Sequence, residues 1–236
     1  MDRIIAAQAI LDGAGSGTYL EIGVNTGGSF IPIRARRKWG VDPGYRLTRK
    51  RRLMYSVLSL LGIKEERLFR MTSDEFFRTH ERMLAAHGLQ VCLVDGQHTY
   101  EQALKDALNA LRYLEPKGVI LMHDCNPPSE LMALPAADWE EVRERKIPGW
   151  NGEWSGDVWK ALVHLRSLRD DVSAFTLDCD SGLGVVVKEQ GRKRLEFSQA
   201  QIRDMDYQFL SGRRAELLDL RPAEEFSGFL RRHMER

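Results

Sequence analysis

Along this chain, short and nearly continuous apolar runs alternate with longer stretches in which apolar residues recur at helical spacing. Tyr19-Leu20-Glu21-Ile22-Gly23-Val24 predicts a buried strand that ends in a glycine turn, and Lys38-Trp39-Gly40-Val41-Asp42 a second, closed by Pro43-Gly44. Arg67 to Met71 predicts a third, less apolar strand; Leu89 to Asp95 and Gly118 to Asp124 predict a fourth and a fifth. Runs this apolar suit strands covered on both faces. Between them, Tyr100 to Leu114 carries Tyr100, Ala103, Leu104, Ala107 and Leu111 on one helical face, with Asp106 on the solvated side, and Pro116 and Gly118 stop it. Ser73 is placed to cap a helix bearing Phe76, Phe77, Met83 and Leu84. Strand and helix in repeated succession imply parallel crossovers and an open twisted sheet.

After Asp124 the texture changes. Residues 125–156 hold Pro127, Pro128, Pro135, Pro148 and three tryptophans without a sustained period. An irregular insertion of this length, with room for a short helix, usually carries function or is disordered. A helix with Val158, Leu162, Leu165 and Leu168 on one face follows. Then come two strands, Val172 to Leu177 and Leu183 to Lys188, joined by the short polar link Asp178-Cys179-Asp180-Ser181-Gly182. That link predicts a hairpin, so the last strand runs antiparallel to its neighbour. The segment from Ser198 onward is helical and highly charged. The expected organisation is one α/β domain over residues 1–190, with the insertion at about 125–156, and a C-terminal helical extension over 191–236.

Composition narrows the function classes. A formal net charge of +1 on 236 residues offers no overall electrostatic case for nucleic acid or a membrane surface. The cations Arg34, Arg36, Arg37 and Lys38, with Arg46, Arg49, Lys50, Arg51 and Arg52, read as a solvated face. No apolar stretch is long enough to cross a bilayer, and Met1 to Leu11 reads as a short amphipathic helix, not a signal peptide. Cys92, Cys125 and Cys179 lack any paired spacing, which argues against a disulfide framework and a classical zinc site. The expectation is a cytoplasmic protein acting on a small molecule, without membrane or nucleic-acid partners. Its charged C-terminal helices could pair copies into a homo-oligomer.

Two features point to a nucleoside ligand. Glu21-x-Gly23-x-x-x-Gly27-Gly28 follows the first strand, where glycine lets the backbone approach a ligand closely. Asp42 ends the second strand about twenty residues later, where a carboxylate can hold two vicinal ribose hydroxyls. The spacing is not the GxGxxG of dinucleotide folds, since Asn25 stands at the middle glycine's place. Tyr19 to Gly28 and Gly40-Val41-Asp42 resemble the first two motifs of the class I S-adenosylmethionine-dependent methyltransferases. The resemblance covers roughly residues 15–190. It implies a Rossmann-like, doubly wound, mostly parallel seven-stranded sheet with an antiparallel last strand. It also implies that Glu21, Gly23, Asn25 and Gly27 face the methionine end of S-adenosylmethionine, that Asp42 binds its ribose, and that Thr72, Ser73 or Asp74 lie near its adenine. The Gly-Asp pair usual in that last place is replaced by Met71-Thr72.

A third constellation carries the chemistry. Val94-Asp95-Gly96-Gln97-His98 and His123-Asp124-Cys125-Asn126 end two strands expected to lie side by side, about 4.8 Å apart. Their carboxylates can converge on one ion, and two carboxylates with water form a hard-oxygen set suited to Mg²⁺. Asp-Gly-x-His and His-Asp-Cys are similar to a methyltransferase subgroup that includes metal-dependent sugar and macrolide O-methyltransferases. That resemblance implies Asp95 and Asp124 as metal ligands, with Asp95 also reaching the methyl donor, and His98 as general base. Asn126 is a candidate third ligand. His98 could instead cap the helix beginning near Thr99, and His123 could orient Asp124. Two other functions stay open: ligand or partner binding without turnover, and an NAD(P)-linked oxidoreductase. The second is disfavoured because Pro116 separates Tyr113 from Lys117 at a helix end.

Overall fold

The computed structural model describes residues 1–47, 65–189 and 195–235. An N-terminal helix α1 (Arg3–Gly13) leads into the strands β1 (Thr18–Ile22), β2 (Arg37–Val41) and β3 (Glu65–Phe69). Helices α2 (Ser73–Thr79) and α3 (Glu81–His87) precede β4 (Leu89–Val94); α4 (Tyr100–Tyr113) precedes β5 (Leu114–Met122). The insertion contains α5 (Trp139–Glu144), then come α6 (Trp159–Leu168) and the hairpin β6 (Val172–Leu177) and β7 (Leu183–Lys188). The chain ends with α7 (Gln199–Asp204), α8 (Tyr207–Leu218), the short β8 (Leu220–Arg221) and α9 (Glu225–Met234).

The strands form one sheet in the order β3-β2-β1-β4-β5-β7-β6-β8. β3 through β5 pair in parallel, and β7 is antiparallel to both β5 and β6. The expected α/β architecture therefore holds, with one addition. The sheet has an eighth strand, because Leu220–Arg221 pairs with the edge of β6. Two residues between helices leave no periodicity from which to read a strand.

Side chains alternate between the two faces as the period of a strand requires. Leu20, Cys92, Val94, Ile120 and Met122 join one core with the apolar stripe of α4 and with α6. Tyr19, Val91, Leu93, Val119 and Leu121 join the other, closed by α1. Ile202, Leu210 and Leu217 of the C-terminal helices enter the first core, and Phe226 enters the second. Each such side chain contributes roughly 1.5–3 kcal/mol on burial.

Four local expectations are corrected. Thr72, not Ser73, caps α2: its backbone is extended and its hydroxyl accepts the Glu75 N–H at 3.2 Å, whereas Ser73 is already helical. Asp106 is buried at 1% exposure, because α2 packs over that side of α4 and Gln102 donates to it at 3.0 Å. Leu168 is exposed at the end of α6. Lys38 is buried, its ammonium 3.0 Å from Glu66 and donating to the Ile33 carbonyl, so the basic run is not wholly solvated. Arg49 to Arg52 lie outside the described residues.

Candidate active site

Strand order reverses between β1 and β4, and ligands of open α/β sheets bind at such a crevice, beyond the carboxyl ends of the strands. Ladder hydrogen bonds run on past the strand ends and hold the site residues level. The Gly23 N–H donates to Val41, that of Asp42 to Phe69, that of Asp95 to Ile22 and that of His123 to Val94, at 2.9–3.1 Å. Gly23 has φ +93°, and a Cβ there would lie 1.9 Å from the Asp95 carbonyl oxygen, so only glycine lets β1 turn away this close to β4.

A cleft of about 1050 Å³ opens at this edge, lined by Gly23, Asn25, Asp42, Asp95, His98 and Asp124 among others. Beside it lies a second hollow of about 500 Å³, lined by Pro43, Thr72, Ser73, Asp74, Gln102 and Asp106. Gly23, Asp42, Gly96, Gln97 and Asp138 border both, so the two form one groove. Asp42 accepts from the Asn25 N–H at 2.7 Å and from the Gly44 N–H at 2.6 Å. It both caps its own turn and lines the groove, and each oxygen keeps a second lone pair for a ligand.

Two residues expected at the methionine end are not on the surface of the groove. Glu21 is wholly buried beneath the turn, its carboxyl accepting from Tyr19 at 2.5 Å and Ser29 at 2.8 Å. Burial, only partly offset by those hydroxyls, raises its pKa to about 7. Gly27 packs against Leu47 and Ile31. Both hold the turn from within. The candidate third ligand Asn126 is also turned away, donating to Asp178 at 3.1 Å and accepting from Arg214.

At the centre, Asp95, His98 and Asp124 converge, each offering one ligand atom within 4.8 Å of the others. His98 Nδ1 lies 2.8 Å from the Trp154 carbonyl, which can only accept, so this nitrogen carries a proton and Nε2 is the titrating atom. Nε2 is 3.5 Å from Asp95 Oδ1, and the ring stacks on Trp154 at 5.4 Å. Thr99, not His98, caps α4. Asp124 accepts from Ser155 at 2.8 Å and from His123 Nδ1 at 3.0 Å, and His123 also stands 3.2 Å from Asp95. Against the burial that disfavours its charge, His123 is pushed up to about 12 by hydrogen bonds to Asp124, Asp180 and Asp95. Burial likewise opposes charge on His98, yet Asp95 and Asp124 raise its pKa; Asp95 in turn is held well below the carboxylate range by both histidines, although burial works against its ionisation.

The sequence reading missed three contributors. Arg3, at the start of α1, approaches Asp95 at 3.4 Å and binds Asp180 at 2.8 Å. Asp180 comes from the β6–β7 link, and Ser155 from the insertion. None has a motif around it.

A methyltransferase-domain family matches residues 20–125, the stretch from β1 to the end of β5 that carries Gly23, Asp42, Asp95, His98 and Asp124. No curated protein is significantly similar to the chain in sequence. Among solved structures, an O-methyltransferase from Bacillus cereus in complex with SAH is similar over 79% of this chain and 80% of its own, at 14% identity and a TM-score of 0.49. The O-methyltransferase TomG from Streptomyces achromogenes, involved in tomaymycin synthesis and bound to SAM, is similar over 80% and 90%, at 16% identity and 0.45. Over residues 20–125, a little under half of its length, this chain is similar to a methyltransferase domain.

Proposed function

We propose that the protein methylates a hydroxyl of a small-molecule acceptor, with His98 as general base and Asp95 and Asp124 as the seat of a Mg²⁺ ion. The observation that carries this reading is the anchoring of His98 Nδ1 by the Trp154 carbonyl, which aims Nε2 toward Asp95 in the cleft. A hydroxyl is a poor nucleophile until its proton leaves, and an imidazole is suited to take that proton near neutral pH. The acceptor oxygen attacks the sulfonium methyl carbon in line. The methyl–sulfur bond breaks, sulfur keeps the electron pair, and the hydroxyl proton passes to His98 Nε2. The products are the methyl ether and S-adenosylhomocysteine.

Asp95 and Asp124 offer two hard carboxylates within reach of one another at the cleft, a pair that would hold a divalent cation and leave His98 Nε2 free to act as the base. Magnesium there would supply a Lewis acid that acidifies a hydroxyl and helps to hold it. Ser155 and His123 fix the orientation of Asp124. Trp139 and Trp154 border the same cleft, and their rings favour a cyclic acceptor such as a sugar or another natural-product ring.

Calorimetric titration with S-adenosylmethionine, S-adenosylhomocysteine and NAD, with and without Mg²⁺, tests the ligand class. A screen of glycosides and vicinal diols then supplies an acceptor. With it, His98→Ala should lower turnover about 10²- to 10⁴-fold while leaving S-adenosylhomocysteine binding unchanged. Undiminished turnover would remove His98 as the base.

A further inference from the structure

We propose that Asp157 is a positioning residue for the general base: it grips the main chain on both sides of Thr99 and so sets where the His98 imidazole stands. This rests on the reading of His98 as base given above. The starting point is what holds His98. The residue lies in the turn between β4 and α4, outside either element. A group that takes a proton from a reacting hydroxyl must be held to within about 0.5 Å, and its own turn supplies little of that constraint. The hold comes from the end of the insertion and the residue after it, a strap formed by residues 154–157.

Asp157 makes two of the strap's contacts. Its N–H donates to the His98 carbonyl at 3.3 Å, and its Oδ1 accepts from the Tyr100 N–H at 2.7 Å. One residue therefore binds the main chain before and after Thr99, by its backbone on one side and its carboxylate on the other. The Tyr100 N–H belongs to the first turn of α4, where donors have no partner within the helix, and the Thr99 hydroxyl serves Gln102 instead. The Asp157 carboxylate is oriented in turn by Lys160, whose buried ammonium lies 3.4 Å from Oδ2 and donates to the Arg203 carbonyl at 2.9 Å. Gly156 passes so close that a Cβ would fall 1.9 Å from the His98 carbonyl oxygen, and its φ of +60° also favours glycine.

The other end of the strap holds the ring. The Trp154 carbonyl accepts from Nδ1 at 2.8 Å, and the indole stacks on the imidazole at 5.4 Å. The strap is fastened behind: the Ser155 and Gly156 N–H groups donate to the Met132 carbonyl at 2.8 and 3.0 Å, and Trp154 Nε1 to the Leu134 carbonyl at 2.7 Å. A competing acceptor gives this register its importance. Asp124 Oδ2 stands 3.4 Å from Nδ1, and a carboxylate is a stronger acceptor than a carbonyl. Were the backbone released around Thr99, the ring could turn from Trp154 to Asp124, and Nε2 would lose its aim. Asp157 opposes that exchange from a place that lines neither hollow of the groove.

The test uses the full-length protein and two readouts. The first needs no acceptor. The hydrogen-bonded Nδ1 proton of His98 should give a downfield imidazole signal in the NMR spectrum of wild type, assigned by its loss in His98→Ala. Asp157→Ala should lose that signal, and Asp157→Asn, which keeps an acceptor for the Tyr100 N–H, should retain it. The second readout is turnover with an acceptor from the glycoside and diol screen. Asp157→Ala should lower kcat about 10- to 100-fold, with the acceptor KM and S-adenosylhomocysteine affinity near wild type. Asp157→Asn should restore most of the rate. In a His98→Ala background, Asp157→Ala should cost nothing further, because its effect runs through a base no longer present. An unchanged signal in Asp157→Ala, or its absence from wild type, overturns the proposal, as do losses that add to those of His98→Ala. Asp157→Asn as impaired as Asp157→Ala would assign the effect to the charge beside Lys160 and overturn it too. If Asp157→Ala does not fold, Asp157→Ala combined with Lys160→Met, which strands no buried ammonium, is measured in its place. Undiminished turnover of His98→Ala would instead refute the base reading itself, and the proposal with it.

Discussion

Glu21→Gln should abolish a pH-dependent penalty on folding. The Glu21 carboxyl is fully buried under the glycine turn and accepts hydrogen bonds from the Tyr19 and Ser29 hydroxyls. Burial lifts its pKa from 4.5 to about 7, with the two hydroxyls opposing part of the rise. The folded protein thus binds this proton more tightly than the unfolded chain. The group's contribution is fully present below pH 4.5 and is lost as pH climbs through 7. A difference of this size corresponds to about 3 kcal/mol, at 1.36 kcal/mol for each pH unit. Glutamine keeps the shape but cannot ionise, and the two hydroxyls can rotate to suit its amide. Urea unfolding of both proteins at fixed ionic strength from pH 4.5 to 8 gives the stability difference directly. All other titrating groups, including the lowered Asp95, are common to both proteins and cancel. The variant should gain about 3 kcal/mol on wild type across that range, whatever their offset at pH 4.5. A difference that stays flat with pH would refute the burial argument.

Three further outcomes follow from the geometry. Asp42→Ala removes the acceptor for the Asn25 and Gly44 N–H groups together with the proposed ribose contact, and calorimetry should show S-adenosylhomocysteine binding weakened about 10- to 100-fold. Gly23→Ala must place a Cβ against the Asp95 carbonyl at positive φ; its chemical-denaturation midpoint should report a loss of at least ~2 kcal/mol, with adenosyl binding impaired as β1 and β4 separate. Lys38→Met strands the buried Glu66 carboxylate and should cost about 3–5 kcal/mol, whereas Lys38→Met with Glu66→Leu should recover most of it in the same unfolding assay.

Much of this protein was written locally. The runs at Leu20 and Leu93 could only be buried strands, the spacing from Tyr100 to Leu111 could only bury one helix face, and Gly23, Asp42, Asp95 and Asp124 each follow a strand directly. A parallel sheet places the carboxyl ends of its strands along one edge, so residues in that position share a cleft whatever the distance between them in sequence. That is why the core of the candidate site could be read before the fold was known. The limits appear where a side chain's neighbours come from another part of the chain. Asp106 lies off the apolar stripe of its helix and looks solvated until α2 covers it. Glu21 reads as a ligand residue, yet the side-chain alternation of β1 and the hydroxyls of Tyr19 and Ser29 enclose it. Arg3, Ser155 and Asp180 are unremarkable in their own segments; Arg3 and Ser155 meet the two strand-end acids, and Asp180 meets Arg3 and His123, only because α1, the insertion and the β6–β7 link cross the same end of the sheet. Short-range pattern dictates which face of an element is buried; which charges come within 3 Å of one another depends on strand order and register, and these emerge only when the whole sheet is assembled.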